Sequence, residues 1–437
     1  MFVNTFWSLV PPIVAIGLAL LTKETYSSLF IGIVVGALLA TDFSPIGALD
    51  TIINDGLTAA IADNAGIFLF LVILGVMVAL VNATGGSAAF GRWAASHIHS
   101  KAGALLATFA LGVLIFIDDY FNCLTVGSVM TPVTDSQRIS RVKLAYLIDA
   151  TAAPICMIAP ISSWAAAVSG VAAKLDTGVS GIQLFIEAIP YNFYSLLTIV
   201  FVITMVVLGV DYGPMAAAEL KAAQTGDLGA LSEEQEEGSS RANMWDMLIP
   251  IILLIIFCVI GLIYVGGFWD PETNAGDFIA AFGDTDAFVG LPWGALIALV
   301  LSIIYLCARR VITFKGAMGC MTKGFNAMVP AILILTFAVS LKSMTGLLGA
   351  ADYVEGLMKQ ASEGLFMLLP AIIFVVACLL AFATGTSWGT FGILIPIVLP
   401  IFNAAPDLQI MGISACLAGA VCGDHCSPIS DTTIMAS

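Results

Sequence analysis

This sequence is poor in charge. Only 10% of its 437 residues are Asp, Glu, Lys or Arg, while 60% are hydrophobic; a soluble domain carries about 25% charged residues. Surface must scale with size, so an apolar excess of this order cannot be hidden inside one water-soluble core. A soluble enzyme, a disordered chain and a collagen-like chain are all excluded. Basic residues are the scarcer sign, 15 Lys+Arg against 30 Asp+Glu for a net charge of −15, which makes nucleic acid a poor partner. Most of the nine cysteines lie in apolar runs, as Cys123, Cys258, Cys307 and Cys378 do. There a thiol behaves as a small hydrophobe, and no spacing suggests a disulfide framework. A Gly-rich phosphate cradle, a nucleotide-binding motif and a Ser-His-Asp pattern are missing too. Their absence argues against an ATP-driven pump or an enzyme and leaves an ion gradient as the energy source, with no cofactor. The first apolar run has no basic region ahead of it and no small-residue cleavage pattern, so it reads as a retained span.

What is present is a series of uncharged windows: 1–22, 25–41, 64–91, 102–117, 188–210, 247–269, 287–308, 324–341, 364–406 and 408–423. A bilayer-crossing helix needs about 20 mostly apolar residues, and helix is the default because backbone groups in lipid must pair within their own segment. The expected class is therefore an all-α polytopic membrane protein. Lys and Arg gather around Arg92 and Lys101, at Arg138, Arg141 and Lys143, at Lys221 and Arg241, and at Arg309, Arg310, Lys315 and Lys323. These loops are assigned to the cytoplasm. The acidic loops near 42–63, 270–286 and 347–363 go outside. Both flanks of 102–137 are then cytoplasmic and both flanks of 364–406 external, so each window predicts a re-entrant hairpin. The second runs 43 residues without a charge and contains Gly385, Gly389, Gly392 and Pro396, which argues against one straight helix.

The halves echo each other. Pro160-Ile161-Ser162-Ser163 matches Pro428-Ile429-Ser430-Asp431, and Thr125-Val126-Gly127 matches Thr390-Phe391-Gly392, in the same order and at nearly the same offset. Their opposite charge-derived directions predict two inverted repeats, residues 1–210 and 245–437, around an acidic cytoplasmic linker at 211–244, whose run of Glu233, Glu234, Glu236 and Glu237 reads as a solvated tether. The partner of the span at 188–210 would fall beyond residue 437, so the second repeat is expected to lack its last helix here.

Four polar breaks could carry chemistry. In FIDDYFN, Asp118 and Asp119 follow 16 uncharged residues, with Asn122 as a neutral oxygen ligand; a charge at such depth costs at least about 2.5–3.5 kcal/mol and persists where it meets water, a cation or a partner. The plainer alternative is that the run ends at the interface. In LIDATAAPICMIAPISSW, Asp149, Thr151, Ser162, Ser163 and the carbonyls freed by Pro154 and Pro160 are candidate Na⁺ ligands, since a hard cation prefers oxygen; a Pro-kinked structural helix is the alternative. In AFATGTSWGT, Gly385 and Gly389 permit a reversal and Thr386 and Ser387 supply hydroxyls, unless this is small-residue helix packing. In CGDHCSPISDTT, Ser430, Asp431, Thr432 and Thr433 are cation ligands, and Asp424 and His425 exchange protons. Zinc at Cys422, His425 and Cys426 lacks a fourth ligand and the usual spacing.

GDHCSPISDTT, with IDDYFNCLTVGSVM and APISSWAAAVSG, resembles the NhaC-type Na⁺/H⁺ antiporter family of bacterial inner-membrane proteins, from about residue 5 to the end. The resemblance implies hairpins at 104–136 and 365–403, broken helices at 145–165 and 409–437, an elevator-type mechanism and a homodimer. Many members look like Gly-Asp-Lys where this chain has Gly423-Asp424-His425, so a fixed positive charge becomes titratable. The leading expectation is Na⁺/H⁺ exchange, with Na⁺ held by Asp118, Asp149 and Asp431 and with Asp119 sharing the site. A buried carboxylate that cannot hold both ions exchanges them. The runner-up is a Na⁺- or H⁺-coupled exchanger of a small organic solute, with Trp164, Trp388 and Phe121 lining a larger pocket. A channel would need a continuous polar stripe and a sensor a folded output domain; neither is visible.

Overall fold

Helices alone satisfy the backbone: the computed structural model has no strand among the residues it describes. Those are 2–22, 24–172, 181–229, 241–283, 285–350, 352–353, 363–402, 406–427 and 430–436. The first half contains α1 (Val10–Thr22), α2 (Thr25–Ala40), α3 (Ala65–Thr84), α4 (Gly86–His97), α5 (Lys101–Leu114), α6 (Asp119–Ser136), α7 (Arg141–Thr151), α8 (Ser163–Ala172) and α9 (Phe193–Leu208). After α10 (Gly213–Thr225) come α11 (Trp245–Val265), α12 (Ala287–Ala308), α13 (Phe314–Leu347), α14 (Glu363–Thr384), α15 (Ser387–Ile401), α16 (Pro406–His425) and α17 (Asp431–Ala436). Spans long and apolar enough to cross a bilayer start at Ala65, Phe193, Trp245, Phe288 and Phe314. Their outer faces expose Leu197, Val200, Val207, Ile256 and Ile304, the apolar belt that lipid covers.

The window 64–91 holds one span, α3, which stops at Thr84 inside the uncharged run. Gly85 takes a left-handed conformation (φ 76°), which costs glycine little, and the chain turns from α3 into α4 there. α3 packs on α13, α11 on α12 and α14 on α16. The α3–α13 crossing is close because both helices present glycine: a Cβ on Gly75 would lie 2.3 Å from the Gly324 carbonyl oxygen.

Three interruptions matter for the site. α5 has 14 residues, a rise of roughly 21 Å against a hydrocarbon core of about 30 Å, and stops four residues before α6 begins. α7 ends at Thr151, where Ala152 (φ −81°, ψ −94°) leaves helical geometry, and the chain runs through the short helix Ala153–Cys156 to α8. α14 and α15 are divided at Gly385 (φ 68°). The last polar motif is interrupted between α16 and α17, and its Pro428 and Ile429 lie outside the described residues.

Part of the linker 211–244 is structured. Its acidic run at 233–237 lies outside the described residues, but α10 docks on the first half. Glu219, buried at 4% exposure, accepts the Ser140 backbone N–H at 2.6 Å and pairs with Lys101, so it ties the start of α7 to the start of α5. Nearby, buried Lys143 donates to Asp211 at 2.6 Å. Burial pushes the Glu219 carboxyl up, but the hydrogen bonds from Lys101 and Ser140 outweigh it and hold the group below its ordinary 4.5. A depressed carboxyl stabilises the fold above its unfolded-state value and loses that contribution as pH falls through the folded one. Glu219→Gln is therefore expected to lower the thermal unfolding midpoint in detergent at neutral pH. The gap from wild type should close as pH drops below 4.5; a gap that persists there would exclude the charge as its cause.

Candidate functional site

The helix ends left open by these interruptions are closed by polar side chains. The last carbonyls of a helix have no partner within it. Asn122 Nδ2 donates to those of Gly112 and Ile115 at the end of α5, at 2.7 and 3.0 Å, and to Thr151 at the end of α7, at 3.1 Å. Its Oδ1 stays buried without a hydrogen-bond partner. Asp118 and Asp119 sit beside it at the start of α6, each 1% exposed. Trp388 Nε1, from α15, donates to Asp119 Oδ2 at 3.3 Å. The Ser163 backbone N–H donates to Ile117 at 2.7 Å, while its hydroxyl is buried without a hydrogen-bond partner. Asp118, Asp119, Asn122 and Ser163 thus converge where α5, α6 and α8 meet. Trp164, Trp388 and Phe391 form one aromatic cluster, with ring centroids 5.1–5.6 Å apart. The Phe121 side chain lies outside the described residues.

Asp149, on α7, faces the second half. Thr433 Oγ1 donates to its Oδ2 at 2.9 Å. His425 Nε2 is 3.8 Å from its Oδ1, and His425 Nδ1 meets the Tyr194 hydroxyl at 2.9 Å. A tyrosine hydroxyl that donates to Nδ1 leaves Nε2 as the nitrogen that presents a proton to Asp149. Tyr194 has no signal in the sequence beyond a polar tip near the start of an apolar run. α17 packs on both α6 and α7, which brings the helix that Asp431 begins against both acid-bearing helices. The Asp431 side chain lies outside the described residues.

Neighbours in sequence part company here. Asp424 is 1% exposed and turns away from His425 toward Ser387, whose hydroxyl and backbone N–H donate to Asp424 Oδ2 at 2.6 and 3.2 Å. Successive helical residues point about 100° apart, so Asp424 and His425 have different partners. Four hydroxyls singled out as ligands are engaged with backbone. Ser162 accepts the Ala165 N–H and donates to the Cys156 carbonyl, capping α8. Ser430 accepts the Thr433 N–H and caps α17, with Thr432 Oγ1 at 3.1 Å from it. Thr386 accepts the Gly389 N–H at 3.4 Å, and Thr151 donates back to Leu147 at 2.8 Å. Among the described residues no three His, Cys, Asp or Glu side chains converge as a metal site. A cation held here draws on a mixture of carboxylate, amide and hydroxyl oxygens.

The profile of the Na⁺/H⁺ antiporter family matches residues 155–437. An uncharacterized protein of Haemophilus influenzae is 35% identical over 452 residues, an alignment that covers all of this chain and 85% of the relative. The malate-2H⁺/Na⁺-lactate antiporter of Bacillus subtilis is 29% identical over 164 residues, 37% of this chain and 34% of its own. Among solved structures, the YdaH transporter of Alcanivorax borkumensis superposes with a TM-score of 0.52 at 14% identity, over 87% of this chain and 79% of that one, a likeness of fold alone. With the apolar spans above, these findings place the chain in the Na⁺/H⁺ antiporter family, as a multi-pass membrane transporter.

Proposed function

We propose that the protein exchanges Na⁺ for H⁺ across a bacterial inner membrane. One observation carries the reading: the buried Asp149 carboxylate of the first half is met by Thr433 and His425 of the second. Protonated His425 and Na⁺ are competing partners for one carboxylate. With Na⁺ absent, imidazolium pairs with Asp149. Na⁺ on Asp149 repels that positive charge and releases the proton, so one ion leaves as the other binds. Asp118, Asp119, the Asn122 oxygen and the Ser163 hydroxyl supply further oxygen at the neighbouring helix ends, where partly dehydrated Na⁺ is met by fixed dipoles. Asp431 at the start of α17 completes the set, and Asp424 is a second proton carrier held by Ser387.

Alternating access follows from one bundle moving against the other in an elevator-type homodimer built of inverted repeats. The repeat is supported by Ser162 and Ser430, matched in sequence, which cap α8 and α17 in the same manner. A second reading, exchange of a small organic solute, is favoured by the aromatic cluster against Asp119 and by the carboxylate substrates in the name of the Bacillus subtilis relative.

Purified protein in proteoliposomes loaded with a pH-sensitive dye decides between them. A Na⁺ pulse is expected to raise luminal pH with no solute added; a response that appears only with malate, lactate or an amino acid would replace the first reading by the second. His425→Lys fixes a positive charge beside Asp149. It is expected to flatten the pH dependence of exchange between mildly acidic and mildly alkaline conditions. An unaltered profile would remove His425 from the proton path.

A further inference from the structure

Away from the carboxylates, a cavity of about 570 Å³ opens between the two halves. Arg92 and Trp93 of α4, Arg241, Asn243 and Trp245 ahead of and at the start of α11, and Arg309 at the end of α12 line it, and among the described residues no acidic side chain does. All three arginines belong to the basic loops assigned to the cytoplasm. Arg309 is held from behind: its Nε and a terminal nitrogen donate to the two oxygens of fully buried Asp246, each at 3.2 Å. Asp246 also accepts the Asn243 N–H at 2.8 Å, so the loop and the arginine share one anchor. Trp93 and Trp245 are 42% and 46% exposed, large amphipathic rings of the kind that sit at headgroup level.

The cavity's surroundings distinguish a lipid from a dissolved anion. Exposed Ile252 and Ile256 follow Trp245 on α11 at spacings of seven and eleven residues, which is one helix face. That stripe leads away from the basic cavity along a membrane span, where an acyl chain attached to a bound phosphate has to lie. Guanidinium forks match phosphate oxygens in pairs, and basic pockets between helices at the cytoplasmic leaflet suit anionic headgroups. We propose that this cavity is a binding site for the phosphate of an anionic phospholipid, with its acyl chain along the Trp245–Ile252–Ile256 face, so that the lipid ties α4 of the first half to α11 and α12 of the second. This site is independent of the ion that is transported.

The test compares purified wild type and the double variant R92Q/R241Q in uncharged detergent. Each is titrated with phosphatidylglycerol, phosphatidylcholine or inorganic phosphate, and the thermal unfolding midpoint is read. Both arginines are exposed and Arg309 is left intact, so the variant keeps the Asp246 anchor. Phosphatidylglycerol alone is expected to raise the wild-type midpoint, and the double substitution to weaken its apparent affinity roughly thirtyfold, at about 1 kcal/mol per basic residue. The charge-conserving R92K/R241K variant should keep most of the response. A phosphatidylglycerol response unchanged in R92Q/R241Q would overturn the assignment. Equal stabilisation by inorganic phosphate would overturn the lipid and give the cavity to a soluble anion.

Discussion

Asp149→Asn is expected to abolish Na⁺-driven proton flux while leaving the protein folded in the membrane. The substitution keeps the shape of the side chain and an oxygen for the Thr433 hydroxyl, 2.9 Å away in the wild type, but removes the charge that His425 and Na⁺ compete for. Truncating one partner of a buried, hydrogen-bonded charge pair costs about 2–5 kcal/mol, or roughly thirtyfold to several thousandfold in affinity. Na⁺ binding should fall by that factor and exchange should vanish at any physiological gradient. Size-exclusion elution and unfolding midpoint should stay close to wild type, because the asparagine is still buried with a hydrogen bond. Proteoliposomes of the variant that still alkalinise after a Na⁺ pulse would take Asp149 out of the mechanism. Asp424→Asn is a useful companion, since Asp424 is held by Ser387 and not by His425.

The largest effect on folding is expected from Gly75→Val. A Cβ at Gly75 would lie 2.3 Å from the Gly324 carbonyl oxygen and 2.8 Å from Met328 Cγ, and reciprocally one on Gly324 would lie 2.2 Å from the Val76 nitrogen. Small residues let membrane helices approach this closely, and contact between backbones is what drives their association where lipid is as apolar as leucine. Overpacking a core usually costs about 1–3 kcal/mol. Here the obstacle is backbone, which cannot change rotamer, so the cost should lie at or above about 3 kcal/mol. Loss of monodisperse protein on extraction, or a steep fall in unfolding midpoint, is the expected result. Gly319→Val is the control: it is on the same helix, α13, but a Cβ there has nothing within 4 Å. Equal damage from both would place the effect in helix propensity and not in the crossing of α3 and α13.

Several features were legible in the chain because they are properties of composition and spacing. The charge-poor windows announce membrane helices, Gly385 marks the division between α14 and α15, and the polar breaks at 118–122 and 149–163 hold buried Asp118, Asp119, Asn122 and Asp149. The resemblance carried by Gly423 to Thr433 pointed to the family that the profile match then established. The window 64–91 marks the span α3 but not its end, because hydropathy is blind to φ, and the positive φ of Gly85 turns the chain inside an uncharged run. The docking of α10 was not legible because Glu219 is held through groups far away in sequence, Lys101 and Ser140.

What the sequence by itself determined is the solvent and the material. So apolar a chain has to live in lipid, and lipid demands helices and confines charge to a few breaks. What only the tertiary structure decided is which of the scarce polar groups meet. Ser162, Thr386 and Ser430 read as ligands in a linear motif, yet their hydroxyls cap helices, because an orphaned N–H in a dry interior claims the nearest oxygen. Asp424 and His425 are adjacent, yet the helix turns one to Ser387 and the other to Asp149 and Tyr194. Pairing depends on direction and distance after folding. The lone Asp149 of one half and the Thr433 of the other are 284 residues apart in the chain and share a hydrogen bond.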